Sequence, residues 1–311
     1  MPSSISPDPS TVRYDGPWTH RDVSANGIRF HIAEAGTGPL VLLLHGFGQF
    51  WWSWRHQITG LAEAGFRVVA PDLRGYGDTD KPPNGYDAFV LADDIAALVR
   101  GLGDREAVVI GTGFGGLAAY NTAVLHPEQV SAVVAVASAH PMTLTKIRKS
   151  VYTGGYQNLL SWAQWPFWPE RRLVAAGGAE LERIFRRDGG PAWTATADFE
   201  AAMVRMRQAI CIPGAAPAAL EHLRWVARSP WQADGVRHRE ALTAQPVTVP
   251  VLNLGADGDP VIPVEMLSEA AEHCVGDYRQ RVITGSGHYP AEEQPLAVTD
   301  AIDSFLRSKV L

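Results

Sequence analysis

Residues 108–120 read VVIGTGFGGLAAY: a β-branched run, a glycine-rich turn and then a segment of helical composition. The turn, from Gly111 to Gly116, satisfies G-x-G-x-x-G, which in dinucleotide-binding folds lets a phosphate approach the first turn of a helix. The same residues also occupy the frame G-x-nucleophile-x-G, a sharp turn that presents a catalytic side chain above a sheet. In that second interpretation the nucleophile position is Gly113, which has no side chain.

The surroundings of this turn disfavour dinucleotide binding. That fold carries its glycine pattern at the first strand–helix turn and places an acidic residue about 20 residues later, at the end of the next strand. Here three or four elements precede the turn, and the next predicted strand ends AVVAVASAHP without an acidic residue. Glu128 lies before that strand rather than after it. We therefore expect no nicotinamide, no flavin and no other cofactor.

Length and composition indicate a sizeable soluble domain. The chain has 311 residues, of which 46% are apolar and 19% are charged, so a large core is available. The net charge of −6 and the lack of Lys or Arg runs predict neither a nucleic-acid partner nor membrane association. The start, MPSSISPDPS, does not resemble a secretory signal, and no apolar run approaches the about 18–20 residues that cross a bilayer.

Cysteine usage indicates a reducing compartment. Cys211 and Cys274 lie far apart and lack the spacing of metal ligands, and the histidines show no such spacing either. We expect a cytoplasmic protein without a metal ion. The sequence leaves the oligomeric state open, with a homodimer as one option.

Alternating strand and helix patterns predict an α/β fold with a doubly wound, mostly parallel sheet. Asn26-Gly27 marks a hairpin, and PLVLLLHG is typical of a strand buried on both faces. The middle of the chain lacks such strands and contains several helix-like, aromatic-rich stretches. We predict a flexible N-terminal tail over residues 1–17, an α/β core over 18–140 and 235–311, and a helical insertion over 141–234.

Two backbone N–H groups are candidates for an oxyanion hole beside the glycine-rich turn. Such a hole takes one donor from the residue after the nucleophile and one from the loop after an early strand. The loop HGFG, residues 45–48, follows the strand LVLLL, and its glycines let a ligand approach the backbone. The sequence therefore predicts the N–H groups of Phe47 and Phe114 as the donors.

The acid and the base of such a site follow two later strands, in the chain order nucleophile, acid, base. Asp257 and Asp259 come after the strand VLNLG, and His288 comes after the strand RVITG. The carboxyl ends of parallel strands meet at the edge where doubly wound sheets bind ligands. We predict His288 as the base and one of the two aspartates as the acid that orients it.

Five stretches together resemble the α/β-hydrolase superfamily, and within it the epoxide hydrolase and haloalkane dehalogenase branch. They are HGFGQFWWSWRHQ, APDLRGYGDTDKP, VVIGTGFGGLAAY, VPVLNLGADGDPVIP and GSGHYPAEEQP. They span almost the whole chain, and the helical insertion falls where that branch carries its cap domain. The resemblance implies an α/β-hydrolase fold, and the branch's pattern of Asp followed by Pro favours Asp259 over Asp257 as the acid.

The sequence departs from that branch at the reactive position. The branch has an Asp nucleophile, usually preceded by His and followed by Trp, whereas this chain has Thr112, Gly113 and Phe114. No covalent intermediate can form on Gly113, because it has no side chain that can attack. Thr112 points elsewhere on a turn of this shape, and we do not expect it to substitute.

The enzymes of this branch also use two tyrosines of the cap domain to protonate the epoxide oxygen as the ring opens. The resemblance places Leu159 at the first of them, with Tyr156 one helical turn earlier, and Leu223 at the second. We therefore expect both tyrosines to be absent from their usual positions.

Tryptophans concentrate around the predicted site. Trp51 and Trp52 lie beside the oxyanion loop, and six of the ten tryptophans lie in the insertion. We expect a roomy pocket with apolar, aromatic walls and a hydrophobic small molecule as its substrate or ligand. The residues predicted to contact that molecule are Trp51, Trp52, Tyr156, Leu159, Trp165 and Leu223.

The leading hypothesis is an atypical, epoxide-hydrolase-like enzyme without a nucleophile on its turn. Asp259 orients His288, and His288 acts as general base toward a water or a substrate proton. Catalysis can survive the loss of a nucleophile, since a serine protease without its triad keeps a rate roughly 10³–10⁴-fold above that in water. A catalytically silent ligand-binding or interaction protein is the alternative, and an unforeseen nucleophile is a third option.

Overall fold

An eight-stranded sheet organises the protein. The computed structural model describes residues 7–143 and 154–309, apart from the side chains of residues 154–158. The strands are β1 (Thr19–Ala25), β2 (Ile28–Ala35), β3 (Leu40–Leu44), β4 (Arg67–Pro71), β5 (Ala107–Thr112), β6 (Val130–Val136), β7 (Val251–Ala256) and β8 (Tyr278–Ile283). Their order in the sheet is β1-β2-β4-β3-β5-β6-β7-β8. Strand β2 runs antiparallel to β1 and β4, and the other neighbours are parallel, which confirms the predicted sheet.

Helices connect the strands. In the described part of the chain the α-helices are α1 (Arg55–Glu63), α2 (Ala88–Gly101), α3 (Phe114–Leu125), α4 (Gly154–Ala163), α5 (Trp168–Val174), α6 (Ala179–Asp188), α7 (Pro191–Thr194), α8 (Ala197–Ile210), α9 (Ala215–Arg228), α10 (Ala233–Ala244), α11 (Glu265–Ala270), α12 (Pro290–Glu293) and α13 (Pro295–Lys309). Short 3₁₀ helices occupy Pro9–Val12, Trp51–Trp54, Pro127–Gln129, Ala175–Gly177, Ser229–Trp231 and Ala271–His273. Helices α4 to α10 all lie between β6 and β7.

The central strands are apolar and buried along their whole length. Every residue of β3 and of β5 is buried. A parallel strand that is covered on both faces has no solvent side, so it shows no alternation of polar and apolar residues. This is why the continuous run PLVLLLHG predicts its strand.

A hairpin between β1 and β2 forms one end of the sheet. Its two turn residues, Asn26 and Gly27, have positive φ angles of 45° and 76°, as a type I′ turn requires. Ala25 pairs with Ile28 on either side of the turn. Asn and Gly adopt positive φ with little strain, so this dipeptide fixes the register of the hairpin.

The turn between β5 and α3 is too tightly packed for side chains at two of its glycines. A Cβ atom on Gly115 would lie 2.1 Å from the backbone oxygen of Leu44 in β3. A Cβ atom on Gly111 would lie 2.1 Å from the backbone of Gly115. The close approach of α3 to two strands therefore accounts for these glycines without a bound phosphate.

The segment predicted as a flexible tail, residues 1–17, is described from residue 7 onward. Among its described residues, Val12 and Tyr14 pack against the core, whereas Asp8, Ser10 and Thr11 are exposed. Val12 is fully buried, and its carbonyl accepts a hydrogen bond from the indole of Trp51 at 2.9 Å. The buried side chain of Val12 thus anchors an otherwise polar segment to the core. Residues 1–6 lie outside the described residues.

The predicted end of the helical insertion, residue 234, lies in the first turn of the last helix before β7. That position falls inside α10, whose His238 lies 2.8 Å from the side-chain oxygen of Asn121 in α3. Residues 144–153, near the predicted start of the insertion, lie outside the described residues. None of the helices in the described part of the chain combines the length and the apolarity needed to cross a bilayer.

Gly115→Ala is expected to destabilise the protein strongly, because its methyl group would overlap the Leu44 carbonyl oxygen. We expect the free energy of unfolding to fall by about 3 kcal/mol or more, at or above the usual cost of overpacking. The matched control is Gly103→Ala, where a Cβ atom meets nothing within 4 Å but φ is +87°. Its cost should stay at about 1–2 kcal/mol. Urea unfolding compares the two variants, and equal losses would contradict the packing argument.

Candidate active site

A cavity of about 680 Å³, a volume that includes space open to solvent, lies at the carboxyl ends of the central strands. Its wall includes Gly113 after β5, Ser138 after β6, Ile262 after β7 and His288 after β8. The insertion contributes Leu159 of α4 to the same wall. The cavity therefore occupies the edge at which doubly wound sheets bind ligands.

His288 and Asp259 form a pair at this edge. The side chain of Asp259 is fully buried, and both of its carboxylate oxygens lie 3.0 Å from Nδ1 of His288. The backbone N–H groups of Val261 and Ile262 donate to Oδ1 of Asp259 at 2.7 and 3.0 Å. These bonds fix the carboxylate, which in turn fixes the orientation of the imidazole.

Asp257, the other predicted acid, has different partners. Its Oδ1 atom accepts hydrogen bonds from the N–H groups of Gly285 and Ser286 at 2.9 and 3.4 Å. It thereby links the loop after β7 to the loop after β8. Of the two predicted acids, the structure places Asp259 beside His288.

The pKa of His288 lies above the ordinary value for histidine. Burial lowers the pKa of the imidazole, but the charge and the hydrogen bond of Asp259 outweigh this effect, and the charges of Asp188 and Glu293 add to the increase. A neighbouring carboxylate stabilises the protonated ring. A proton accepted by His288 is therefore held more firmly than it would be on a histidine in water.

One carboxylate holds the backbone on both sides of His288. Oε2 of Glu293 accepts the N–H of Gly287 at 2.7 Å, and Oε1 accepts the N–H of Tyr289 at 3.0 Å. Oε2 also accepts the N–H of Gly190, between α6 and α7 in the insertion, at 3.0 Å. The loop that carries the base is thereby tied to the core and to the insertion.

The insertion adds charged groups at the cavity wall. Arg187 and Asp188 form a two-bond ion pair, with N–O distances of 2.7 Å for both bonds. The backbone oxygen of Asp188 accepts the N–H of His288 at 2.8 Å. The sequence did not predict a role for Arg187, Asp188 or Glu293 at this site. Their partners are backbone groups or an adjacent residue, and such pairings leave no recognisable sequence motif.

Gly113 lies at the tip of the turn and faces His288. Its backbone has φ +51° and ψ −113°, and its N–H donates to the carbonyl of Val136 at 3.1 Å. Among the described residues, a Cβ atom built on Gly113 would have one neighbour within 4 Å, Nε2 of His288 at 3.9 Å. The space that a side chain would occupy there is open.

Both predicted oxyanion donors belong to residues of the cavity wall. Phe114 is the first residue of α3, so its N–H has no carbonyl partner inside the helix. Phe47 lies in a loop that is held by Gln49, whose side-chain oxygen accepts the N–H of Gly46 at 2.8 Å. Their binding of an oxyanion stays a prediction.

The predicted tryptophan contacts lie elsewhere. Trp51 is fully buried beneath the N-terminal segment, and Trp52 packs at 5.1 Å between ring centroids against Tyr14. Trp165, in the insertion, exposes 66% of its surface. None of the three belongs to the wall formed by described residues, because two fill the core beside β3 and the third points to solvent.

The two leucines that were predicted to contact the ligand lie in different parts of the structure. Leu159 lines the cavity, as predicted from its place in the insertion. Leu223 of α9 is fully buried and belongs to the hydrophobic core rather than to the cavity wall. The side chain of Tyr156 lies outside the described residues.

Comparison with known proteins identifies the family to which this chain belongs. The family model for the alpha/beta hydrolase fold matches residues 39–295, and the chain belongs to this family. The chain is 31% identical over 296 residues to the AB hydrolase superfamily protein YfhM of Bacillus subtilis (strain 168), covering 92% of this chain and 97% of that protein.

Epoxide hydrolases are among its relatives. The chain is 31% identical over 323 residues to epoxide hydrolase A of Mycobacterium tuberculosis, with 93% of this chain and 97% of that protein covered. The crystal structure of epoxide hydrolase A from Mycobacterium thermoresistibile matches with a TM-score of 0.76 and 28% identity, covering 94% of this chain and 99% of that chain. The expected relationship to the epoxide hydrolase branch is confirmed.

Glu293→Ala is expected to lower the free energy of unfolding by about 3 kcal/mol, because it leaves three N–H groups without their acceptor. The matched control is Glu63→Ala, an exposed glutamate at the end of α1, which should change stability by about 0.5 kcal/mol or less. Urea unfolding measures both variants. A Glu293 variant as stable as the control would show that this carboxylate does not hold the His288 loop.

Proposed function

We propose that this protein is an epoxide-hydrolase-like enzyme that acts on an apolar small molecule without forming a covalent intermediate on the β5–α3 turn. His288 is the general base, Asp259 orients it, and the N–H groups of Phe47 and Phe114 bind the developing oxyanion. The observation that carries this proposal is the open space above Gly113, which faces Nε2 of His288.

A water molecule suits that space. Nε2 of His288 is a polar partner for it, and the N–H groups of Phe47 and Phe114 are further donors at the same wall. The water oxygen attacks an electrophilic carbon of the substrate, and the proton of the water passes to Nε2. The electron pair of the C–O bond that opens goes to the substrate oxygen beside the N–H donors. Proton transfer from His288 to the leaving oxygen then restores the neutral base.

The same groups support a second type of reaction. Where the substrate itself presents a proton to Nε2 of His288, the base can remove it while the N–H donors stabilise the resulting negative charge. Elimination, cyclisation and isomerisation belong to this type. Both types need His288 and neither needs a side chain at position 113.

The walls favour an apolar substrate. Removal of hydrocarbon surface from water contributes roughly 25 cal/mol per Å², so a wall of this kind binds hydrophobic molecules. Its apolar members include Phe47, Phe114, Leu117, Leu159, Ile184 and Val261.

The open cavity favours an enzyme over a catalytically silent protein. In a catalytically silent protein we would expect a side chain to fill the active-site cavity, and Phe114 is the nearest candidate. Phe114 instead forms part of the wall of the cavity and leaves the space above Gly113 open. Binding of a ligand without turnover is the alternative, and the substrate panel separates the two.

His288→Ala is expected to reduce the turnover of a panel of epoxides, aryl esters and lactones to background, because it removes the proposed proton acceptor. Asp259→Asn should lower kcat/KM by about 10²-fold or more, since it removes the charge that holds the imidazole. His126→Ala, a surface histidine paired with Asp93, is the control and should leave rates unchanged. Equal rates in the wild type and His288→Ala would overturn the proposal, as would the absence of any turnover.

The rate should rise with pH, because only the neutral form of His288 accepts a proton. We expect kcat/KM to increase about tenfold per pH unit and to level off above a pKa higher than the ordinary 6.5 of histidine. In Asp259→Asn the pKa falls with the lost negative charge, so the plateau begins at lower pH. Initial rates between about pH 5 and pH 9 test this, and a rate that falls over that range would contradict the base assignment.

Gly113→Ser is expected to gain a nucleophile. Its Cβ atom has room and would lie 3.9 Å from Nε2 of His288, which can take the proton of the hydroxyl. A fluorophosphonate probe should add covalently to this variant but not to the wild type, as measured by intact mass. Gly113→Ala carries the same backbone strain without a hydroxyl and should stay unlabelled. Labelling of the wild type would reveal a different nucleophile, with Thr112 as the first candidate.

A further inference from the structure

Three aromatic side chains of the insertion are exposed between the end of α4 and the start of α5. Trp165, Phe167 and Trp168, which we call the aromatic patch, expose 66%, 74% and 50% of their surface. A ring of this kind buries roughly 150–250 Å² when it is fully covered, so the patch leaves roughly 300–500 Å² open to solvent. Soluble proteins seldom expose a larger contiguous apolar area, and areas of this size mark contacts with proteins or membranes.

The backbone fixes the patch at the surface. Phe167 has φ +60° and ψ −27°, a left-handed conformation that a residue with a bulky side chain adopts only where the surrounding structure imposes it. Nη2 of Arg224 in α9 donates to the carbonyl of Trp165 at 3.0 Å, and Nε donates to the carbonyl of Ala163 at 2.8 Å. The turn is therefore held in a conformation that leaves its rings exposed.

The charged side chains of α5 that reach solvent are positive. Arg171 and Arg172 are both exposed. Glu170, the acidic residue of this helix, is directed toward the protein: Oε1 lies 2.7 Å from Nη2 of Arg224, and Oε2 is buried. The surface beside the patch therefore presents arginines, while the carboxylate of the same helix is neutralised from within.

Arg172 lies against the patch itself. Its guanidinium is 5.2 Å from the ring centroid of Trp168, and its Nε atom is 2.9 Å from the carboxylate of Glu180. Glu180 also pairs with Arg183, so one carboxylate is shared by two arginines. Exposed aromatic rings beside cations are typical of protein surfaces that lie at the interface of a bilayer. There the rings enter the boundary of the acyl chains and the cations meet anionic headgroups.

We propose that the aromatic patch docks on a lipid bilayer that contains anionic headgroups, with Arg171 and Arg172 at the level of the phosphates. A second copy of this chain fits the surface less well, because a symmetric contact would bring the arginines of both copies together. The net charge of −6 predicts no membrane association for the chain as a whole. At physiological salt, however, charges act over only about 8 Å, so the groups beside the patch decide its binding.

Docking in this way places the active site near a store of apolar molecules. Helix α4 ends at Ala163, two residues before the patch, and Leu159 of the same helix lines the active-site cavity. Apolar molecules leave water for the interior of a bilayer. The inference goes beyond the proposed function and does not depend on it, since docking requires neither His288 nor turnover.

Co-sedimentation with lipid vesicles tests the docking. Vesicles of equal parts phosphatidylglycerol and phosphatidylcholine should carry the wild-type protein into the pellet at about 0.05 M NaCl. Vesicles of phosphatidylcholine alone should bind it at least about tenfold more weakly, because they carry no net charge. Raising the salt to about 0.5 M NaCl should weaken binding to the anionic vesicles by a similar factor, since the arginines are exposed to solvent.

The double variant Trp165→Ser/Phe167→Ser should bind the anionic vesicles at least about tenfold more weakly than the wild type, because it removes two rings that enter the bilayer. The matched control is Leu296→Ser in α13, where the leucine exposes 79% of its surface outside the patch. It should bind as the wild type does. All three proteins should have similar stability in urea, because the substituted side chains are exposed.

The inference is overturned if the wild type stays in the supernatant with both kinds of vesicle, or if it binds both kinds equally. Equal binding by the double variant and by Leu296→Ser would also overturn it. So would a wild-type dimer in size-exclusion chromatography that the double variant loses, because the patch would then join two copies of the chain.

Discussion

The tight packing of the turn between β5 and α3 is the constraint on which the rest of the site depends. Gly111 and Gly115 allow the first turn of α3 to lie against β5 and against the carbonyl of Leu44 in β3. The helix and two strands are thereby fixed relative to one another, with Gly113 at the carboxyl edge of the sheet. Whatever lies above Gly113 then faces the loops that follow β7 and β8, because parallel strands end at the same edge.

The base does not depend on a side chain at position 113. Asp259 and His288 are held by backbone bonds of their own loops, and Glu293 ties the His288 loop to the core and to the insertion. His288, Asp259 and the N–H groups of the β5–α3 turn therefore keep their positions without a side chain on Gly113. In the proposed mechanism these groups lower the barrier by acid–base and electrostatic effects, which contribute even where no covalent step occurs.

The fold and the His288–Asp259 pair were predictable from the sequence for one physical reason. Buried parallel strands leave continuous apolar runs, and residues that directly follow them meet at one edge. No sequence pattern shows in which direction an aromatic side chain points. Trp51 follows the loop of residues 45–48 in the sequence, but its side chain is buried under Val12. The role of Glu293 could not be predicted from the sequence either, because its partners are backbone N–H groups whose positions depend on the folded loops.

A high-resolution crystal structure of the unliganded protein would show whether a water molecule occupies the space between Gly113 and His288. We expect a water molecule above Gly113, at about 2.6–3.2 Å from Nε2 of His288, while Nδ1 remains hydrogen-bonded to Asp259. This expectation would be contradicted by a side chain of the insertion that fills this space, or by a His288 ring turned away from Asp259.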